Sequence, residues 1–188
     1  MKRGSIAEER AVLMALDRLV GRRAVRRHID GVIRRLERRL ARDRGARMAW
    51  KTLPMSLFRP GLPQPIRSGW VFLLRGGAWT GAERHSNSHQ RTMSYRGAAT
   101  LKTGLGGRAR RRRLRGDRKA PLMKRWATIP PGTWHDWLPA GGAPWAVVSF
   151  HTVRAGDLAE EKPRPGRKGG YRRMRYVRAL RHTSRSRD

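Results

Sequence analysis

Cysteine is absent from all 188 residues. That excludes a disulfide framework and a thiolate metal site, and it suits a reducing compartment, so a cytoplasmic location is expected. Acidic residues are scarce: 13 Asp and Glu stand against 45 Lys and Arg, for a net charge of +32. Before residue 117, the strand-rich part of the chain holds a single carboxylate, Glu83. The paired carboxylates of a glycosidase or an aspartic protease are therefore not legible. Long apolar runs are missing as well. No stretch approaches the ~18 residues of a membrane span, and no membrane partner is expected. The basic N-terminus MKRGSIAEERAVLMALDRLV turns acidic at once and has no small-residue cleavage site, so no signal peptide is read.

Most of the basic residues are arginine, as a GC-rich coding sequence produces. One reading of this charge is a solvated basic surface. The other is non-specific attraction to nucleic acid. No recognised reader motif accompanies it. Gly104, Gly106 and Gly107 lack the strand-turn-helix context of a phosphate loop. No nucleophile elbow is present.

Four segments follow from patterning. Residues 1–50 form a helical extension. Ser5 and Glu8 make a capping box. Leu13, Leu16 and Val20, then Val25, Ile29, Val32, Leu36 and Leu40, recur at helical spacing on either side of Gly21. Arg22, Arg23, Arg27, Arg34, Arg35 and Arg38 lie opposite that stripe. The apolar face predicts a hairpin packed on the rest of the chain or on a second copy, as in a homodimer. Residues 51–68, with Pro54, Pro60, Gly61, Pro63 and Pro65, read as an extended connector.

Residues 69–158 read as strands. Trp70–Leu74 and Trp145–His151 are buried-strand runs, and no long helical pattern lies between them. An antiparallel sandwich or barrel is favoured. Within this segment, residues 104–120 read as a mobile Arg/Gly-rich loop. Residues 159–188 read as a basic, disordered tail. Its Tyr171, Met174 and Tyr176 alternate with arginine, a pattern that either stacks on single-stranded nucleic acid or has no function. Removing residues 162–188 should then leave the melting temperature almost unchanged.

Two short motifs carry the chemistry. From Gly77, five residues lead to Glu83-Arg84-His85, four more to Gln90, and six more to Gly97. Further on, Pro130-Pro131-Gly132-Thr133-Trp134-His135 follows the pattern Pro-x-Gly-x-x-His. Together they resemble the two half-motifs of the cupin superfamily, and in particular small bacterial cupin-domain proteins of undefined activity. The resemblance spans residues 66–158. Glu83 stands where the family has its first His, Gln90 where it has Glu, Lys124 where it has Gly, and Pro139 where it has Asn. The fold implied is mainly β: a double-stranded β-helix, or jelly-roll barrel, here preceded by the helical hairpin. The ligand set implied for one divalent metal is Glu83, His85, Gln90 and His135. Two imidazoles and one carboxylate suit Fe(II), with Mn(II), Ni(II) or Zn(II) as alternatives.

Other residues lie beside these motifs. His89 shares parity with His85 and is read as turn-exposed, while His151 is read at a strand end. Trp79, Trp126, Trp134, Trp137 and Trp145 serve the core or line a pocket for a small molecule. Arg84, Arg91 or Arg96, if turned inward, would favour an anionic ligand. Three function classes stay open. One is a metal-dependent enzyme, a dioxygenase or an isomerase. The second is a non-catalytic ligand-binding or sensor cupin. The third is a basic nucleic-acid-associated protein. Metal content separates the first two, and salt-dependent binding isolates the third.

Overall fold

The apolar stripes at the start of the chain do form helices. In the computed structural model, which describes residues 6–105, 109–164, 166 and 170–178, α1 spans Ile6–Gly21 and α2 spans Arg23–Arg42. Leu13, Leu16, Leu19 and Val20 are buried on α1, and Val25, Ile29, Val32, Ile33, Leu36 and Leu40 on α2. Ser5 lies outside the described residues. The arginines opposite the stripe, including Arg27, Arg34 and Arg38, are exposed.

Ten strands follow: β1 (Met48–Leu53), β2 (Ser68–Leu74), β3 (Gln90–Arg96), β4 (Ala98–Thr103), β5 (Arg110–Arg115), β6 (Trp126–Ile129), β7 (His135–Pro139), β8 (Trp145–His151), β9 (Ala159–Pro163) and β10 (Tyr171–Arg175). A 3-10 turn covers Met55–Phe58, and a short helix, α3, covers Leu122–Arg125. The first sheet has the order β1-β2-β8-β3-β6, and the second β5-β4-β7. β9 and β10 form a two-stranded ribbon. Single bridges, Glu83 to His135 and Arg84 to Glu161, carry the second sheet across to that ribbon. Every pairing is antiparallel. The result is the cupin-like jelly roll, built as two facing sheets rather than one continuously bonded cylinder.

Strand alternation divides the core. Trp70, Phe72, Leu74, Trp145 and Val147 meet Ala99, Leu101, Leu114 and Trp137 between the sheets. Their sequence neighbours Val71, Leu73, Ala146, Val148 and Phe150 point the other way, into the helices. The first sheet is thus covered on both faces, which is why β2 and β8 read as continuous apolar runs.

The scarce acids hold the helices down. The Arg91 guanidinium donates to both oxygens of Glu9 at 2.8 and 2.7 Å. Arg125 and the Trp126 indole converge on Asp17, and Tyr95 donates to Asp30 at 2.8 Å. Arg96 reaches Glu37. The hairpin therefore packs on its own sheet.

Three sequence-based boundaries change. β1 runs from the end of the helical extension into the connector. The loop at 104–120 contains strand β5, and only residues 106–108 of it lie outside the described residues. The tail read as disordered from residue 159 supplies β9, β10 and the buried Tyr176, which is 5% exposed. Residues 179–188 lie outside the described residues. Strand pairing orders these segments although their own composition gives no apolar incentive. Among the described residues no helix is long and apolar enough to cross a membrane.

Two glycines are needed where the chain turns from one sheet to the other. Gly97, between β3 and β4, has φ +81°, a region costly for side chains, and a Cβ there would lie 3.0 Å from the Pro144 carbonyl oxygen. At Gly116 the reason is space. A Cβ would sit 2.6 Å from Arg96 Cα and 2.7 Å from its nitrogen, both backbone atoms that cannot swing aside. Gly116→Ala should cost about 2 kcal/mol by overpacking, read by chemical denaturation. A midpoint equal to that of the parent protein would refute the close contact.

Candidate metal centre

The two half-motifs meet through the backbone. Glu83 and His135 exchange reciprocal N–H to carbonyl bonds, each 2.8 Å, so they sit directly opposite each other with side chains on one face. The Gly132 amide donates to the His85 carbonyl at 2.9 Å. Gly132 itself has φ +75°, which lets the PPGTWH turn deliver His135 onto β7. A long-range bridge thus joins two locally built half-motifs.

Glu83, His85 and His135 are all buried, and one ligand atom from each lies within 4.8 Å of the others. The tautomers follow from the hydrogen bonds. His85 Nδ1–H donates to the Ala159 carbonyl at 2.8 Å, and His135 Nδ1–H donates to the Thr133 carbonyl at 3.0 Å. A carbonyl only accepts, so each ring carries a proton on Nδ1 and turns Nε2 inward. Both Nε2 atoms are buried without a hydrogen-bond partner. His135 Nε2 faces Glu83 Oε1 at 3.6 Å. Two ring nitrogens and a carboxylate facing one another in a dry interior suit a positive charge between them. The residues present thus fit a divalent cation: a Glu, His, His group that could hold a metal.

The electrostatics agree. Burial pushes the Glu83 carboxyl up, but contacts with His135 and Glu160 outweigh it and hold it below the usual carboxylate range, so it is ionised. Burial lowers His85 to about 4, which leaves it neutral and ready to ligate. Glu160, from β9, is pushed up to about 9, first by burial and then by Glu83 beside it. Glu83 beside it thus favours its neutral acid form, against the pull of Lys162 Nζ 3.4 Å from its Oε1. The sequence displayed a single carboxylate in this region, and the fold supplies a second.

The remaining candidates are placed as follows. Gln90 lines the same cavity as Glu83. Its Nε2 donates to Thr92 Oγ1 at 3.0 Å and Ser149 Oγ at 3.2 Å, and its Oε1 is buried without a partner. His151 is fully buried, with its ring centroid 5.2 Å from that of His85. Ser88 and Ser149 engage its two nitrogens at 3.3 Å, so neither is left over for a ligand. His89 turns away. Its Nε2 lies 2.6 Å from Thr128 Oγ1, beside Glu9 of α1. Arg91 and Arg96 point to the helices, and Arg84 points outward to Glu161. No lysine or arginine is among the cavity-lining residues, which removes the argument for an anionic ligand from those three.

The cavity holds about 40 Å³. Met48, Phe72, Leu74, Trp137, Trp145 and Val147 form its apolar wall, with Glu83, Gln90, Thr92 and Ser149 as a polar edge. Of the tryptophans, Trp126 packs under the helices, and Trp79 is 56% exposed and not part of the core. Tyr176 closes the cavity, its ring 4.8 Å from that of His85 and nearly perpendicular to it. Sequence reasoning missed Tyr176 and Glu160, because both come from a segment with no motif.

No model of a known family and no curated protein matches the chain. Among solved structures, it is similar to an oxalate oxidase in complex with the substrate analogue glycolate, at 17% identity and TM-score 0.44, over 57% of this chain and 52% of that one. It is similar to the capsular polysaccharide assembling protein CapF from Staphylococcus aureus, at 14% identity and TM-score 0.44, over 56% and 28%. It is also similar to the cupin domain of Schizosaccharomyces pombe Cnp3, at 11% identity and TM-score 0.42, over 56% and 64%. The chain spans about half the length of the first of these and less of the second.

Proposed function

We propose that this cupin-like jelly roll is a metal-dependent enzyme of the oxygenase type, acting on a very small, oxygen-bearing molecule. The observation that carries the reading is the pair of orphaned Nε2 atoms on His85 and His135, aimed at the ionised Glu83. Two imidazoles and one carboxylate suit Fe(II) before Mn(II), Ni(II) or Zn(II), and leave coordination positions open. Such an ion supplies Lewis acidity and one-electron chemistry toward dioxygen. The chain's own residues supply the rest. Ala159 and Thr133 hold the two rings in the ligating tautomer. Glu160 orients Glu83 through a hydrogen bond. Gln90 offers its free oxygen to a bound molecule. A cavity of about 40 Å³ admits only a few heavy atoms, and its apolar wall excludes bulk water. Oxygenase is preferred to isomerase because Fe(II), the ion this ligand set suits first, is the one that supplies one-electron chemistry toward dioxygen.

The test is metal retention. Purified protein loaded anaerobically with Fe(II) and desalted should keep about one equivalent by elemental analysis, and loading should raise the melting temperature. His85→Ala and His135→Ala should fall to background. His89→Ala should match the parent protein, because its ring faces α1. A parent protein that retains no Fe(II), Mn(II), Ni(II) or Zn(II) would overturn the enzyme reading and leave a non-catalytic ligand-binding jelly roll.

A further inference from the structure

One face of the sandwich carries chemistry that the metal centre does not use. α1 and α2 cover the outer face of the first sheet, whereas among the described residues the helix packed most closely on the second is the short α3, against its edge strand β5. Register decides which side chains stand there. Ala99, Leu101 and Leu114 point into the core. Their neighbours must point out, and they do so as opposed pairs: Thr100 with Arg113, Lys102 with Arg111, and Ala98 with Arg115. On β7, Leu138 lies opposite Thr100 and is 48% exposed. Past the bridge at Glu83, Arg84 is outward by the same alternation. Its guanidinium sits between two rings, 4.6 Å from the centroid of Trp134 and 4.6 Å from that of Tyr171. Tyr171 is 43% exposed.

The acids on this face are buried. Glu161 has a side chain 2% exposed and is engaged by Arg84 at 2.6 Å and Arg173 at 3.9 Å. Asp136, opposite Lys102, is 7% exposed. What the face offers to solvent is a row of guanidinium groups on one edge and aromatic rings on the other.

We infer that this face binds single-stranded nucleic acid, with bases stacked at Tyr171 and Trp134 and phosphates held by Arg111, Arg113 and Arg115. Each base has a π-face, so an open sheet with exposed rings accepts unpaired bases of any sequence. The guanidinium fork matches phosphate oxygens in a way an ammonium does not. Alternate residues of a strand recur every ~6.6 Å, close to the separation of successive phosphates on an extended strand. β5 to β10 is five inter-strand steps, roughly 24 Å, a span suited to a site of about four nucleotides. A duplex fits less well, because its paired bases are stacked inside the helix and offer no free face to Tyr171. An anionic membrane would present phosphates but nothing for the rings to stack on.

The test uses the full chain and a fluorescent oligothymidylate of about 12 nucleotides, followed by anisotropy across a salt series. Tyr171→Ala should weaken binding about tenfold, while Tyr171→Phe, which keeps the ring, should restore it. Arg111→Gln with Arg113→Gln should flatten the slope of log affinity against log salt by roughly 1.4. Arg35→Gln with Arg38→Gln removes equal charge from the solvent face of α2 and should change the slope much less. Circular dichroism melts confirm that each variant is folded, and the arginine pair tests the face even if Tyr171→Ala is not. Three results would overturn the assignment. In the first, the α2 pair weakens binding as much as the β5 pair, so that total charge alone is responsible. In the second, a duplex of the same length binds more tightly than the single strand. In the third, phosphatidylserine vesicles displace the oligonucleotide while Tyr171→Ala leaves affinity unchanged.

Discussion

Deleting residues 171–188 should lower the melting temperature by roughly 6–12 °C, the effect of losing about 3 kcal/mol of aromatic packing from a chain of this size. Composition alone argues the opposite, because the segment is arginine-rich. The reason is Tyr176. It is 5% exposed and packs edge-on against Trp70, with centroids 5.6 Å apart, and against Phe72 at 6.2 Å. Its backbone N–H donates to the Leu158 carbonyl at 2.7 Å. The deletion also removes β10, so the ribbon strand β9 loses its partner. Trp70, Phe72 and His85 would then face water. Tyr176→Ala should reproduce most of the loss, whereas Tyr176→Phe should stay within about 1 kcal/mol of the parent. Calorimetry on the three chains decides it. A truncated protein that melts within a couple of degrees of the full chain would mean that the two sheets hold together without this plug.

An effect of similar size is expected at the helix–sheet contact, from Asp17→Ala. Its carboxylate accepts from Arg125 Nη1 at 2.5 Å, from Nη2 at 2.7 Å and from the Trp126 indole at 2.8 Å. Arg125 is 9% exposed and Trp126 is fully buried, so neither can turn to water. Removing the acceptor strands a guanidinium and an indole N–H, which costs about 3 kcal/mol. Replacing both ion-pair partners, as in Asp17→Ala with Arg125→Met, should be milder than Asp17→Ala alone, because no unpaired charge remains buried. Glu37→Ala gives the contrast. Its pair with Arg96 is 39% and 52% exposed, and its loss should stay within about 0.5 kcal/mol. Equal losses at Asp17 and Glu37 would show that burial does not govern these contacts.

The candidate ligands were legible in the chain because each half-motif is local: Glu83 and His85 are two apart on one extended segment, and Gly132 and His135 close one turn. The meeting of the two halves, far apart in the chain, was implied by the family resemblance, and the bridge between Glu83 and His135 makes it. Gln90 was expected at the site only from the family half-motif, and its amide spends its nitrogen on Thr92 and Ser149. Glu160 was not legible. It lies in a segment with no motif, and it meets Glu83 only because the neighbouring Glu161 bridges to Arg84. Nor were the arginines resolved by composition. Arg91, Arg96 and Arg125 are partners for helix acids, Arg84 is held between two rings, and those of β5 stand in an open row.

By itself, the sequence determined the helical hairpin, the two doubly covered strands and the metal-ligand candidates Glu83, His85, Gln90 and His135. Each of these is written in a short-range period: every three or four residues for the helices, every two for the strands, and fixed gaps for the ligands. The tertiary structure alone decided what the poorly patterned segments do. The strand RRRRLR forms because β4 offers it a free edge, and the tail folds because β9 pairs with it and Tyr176 finds an apolar hollow above His85. Both strands pair with their neighbour in the chain, but a run of arginines carries no apolar alternation that would mark a strand, and the hollow that receives Tyr176 is built from distant segments.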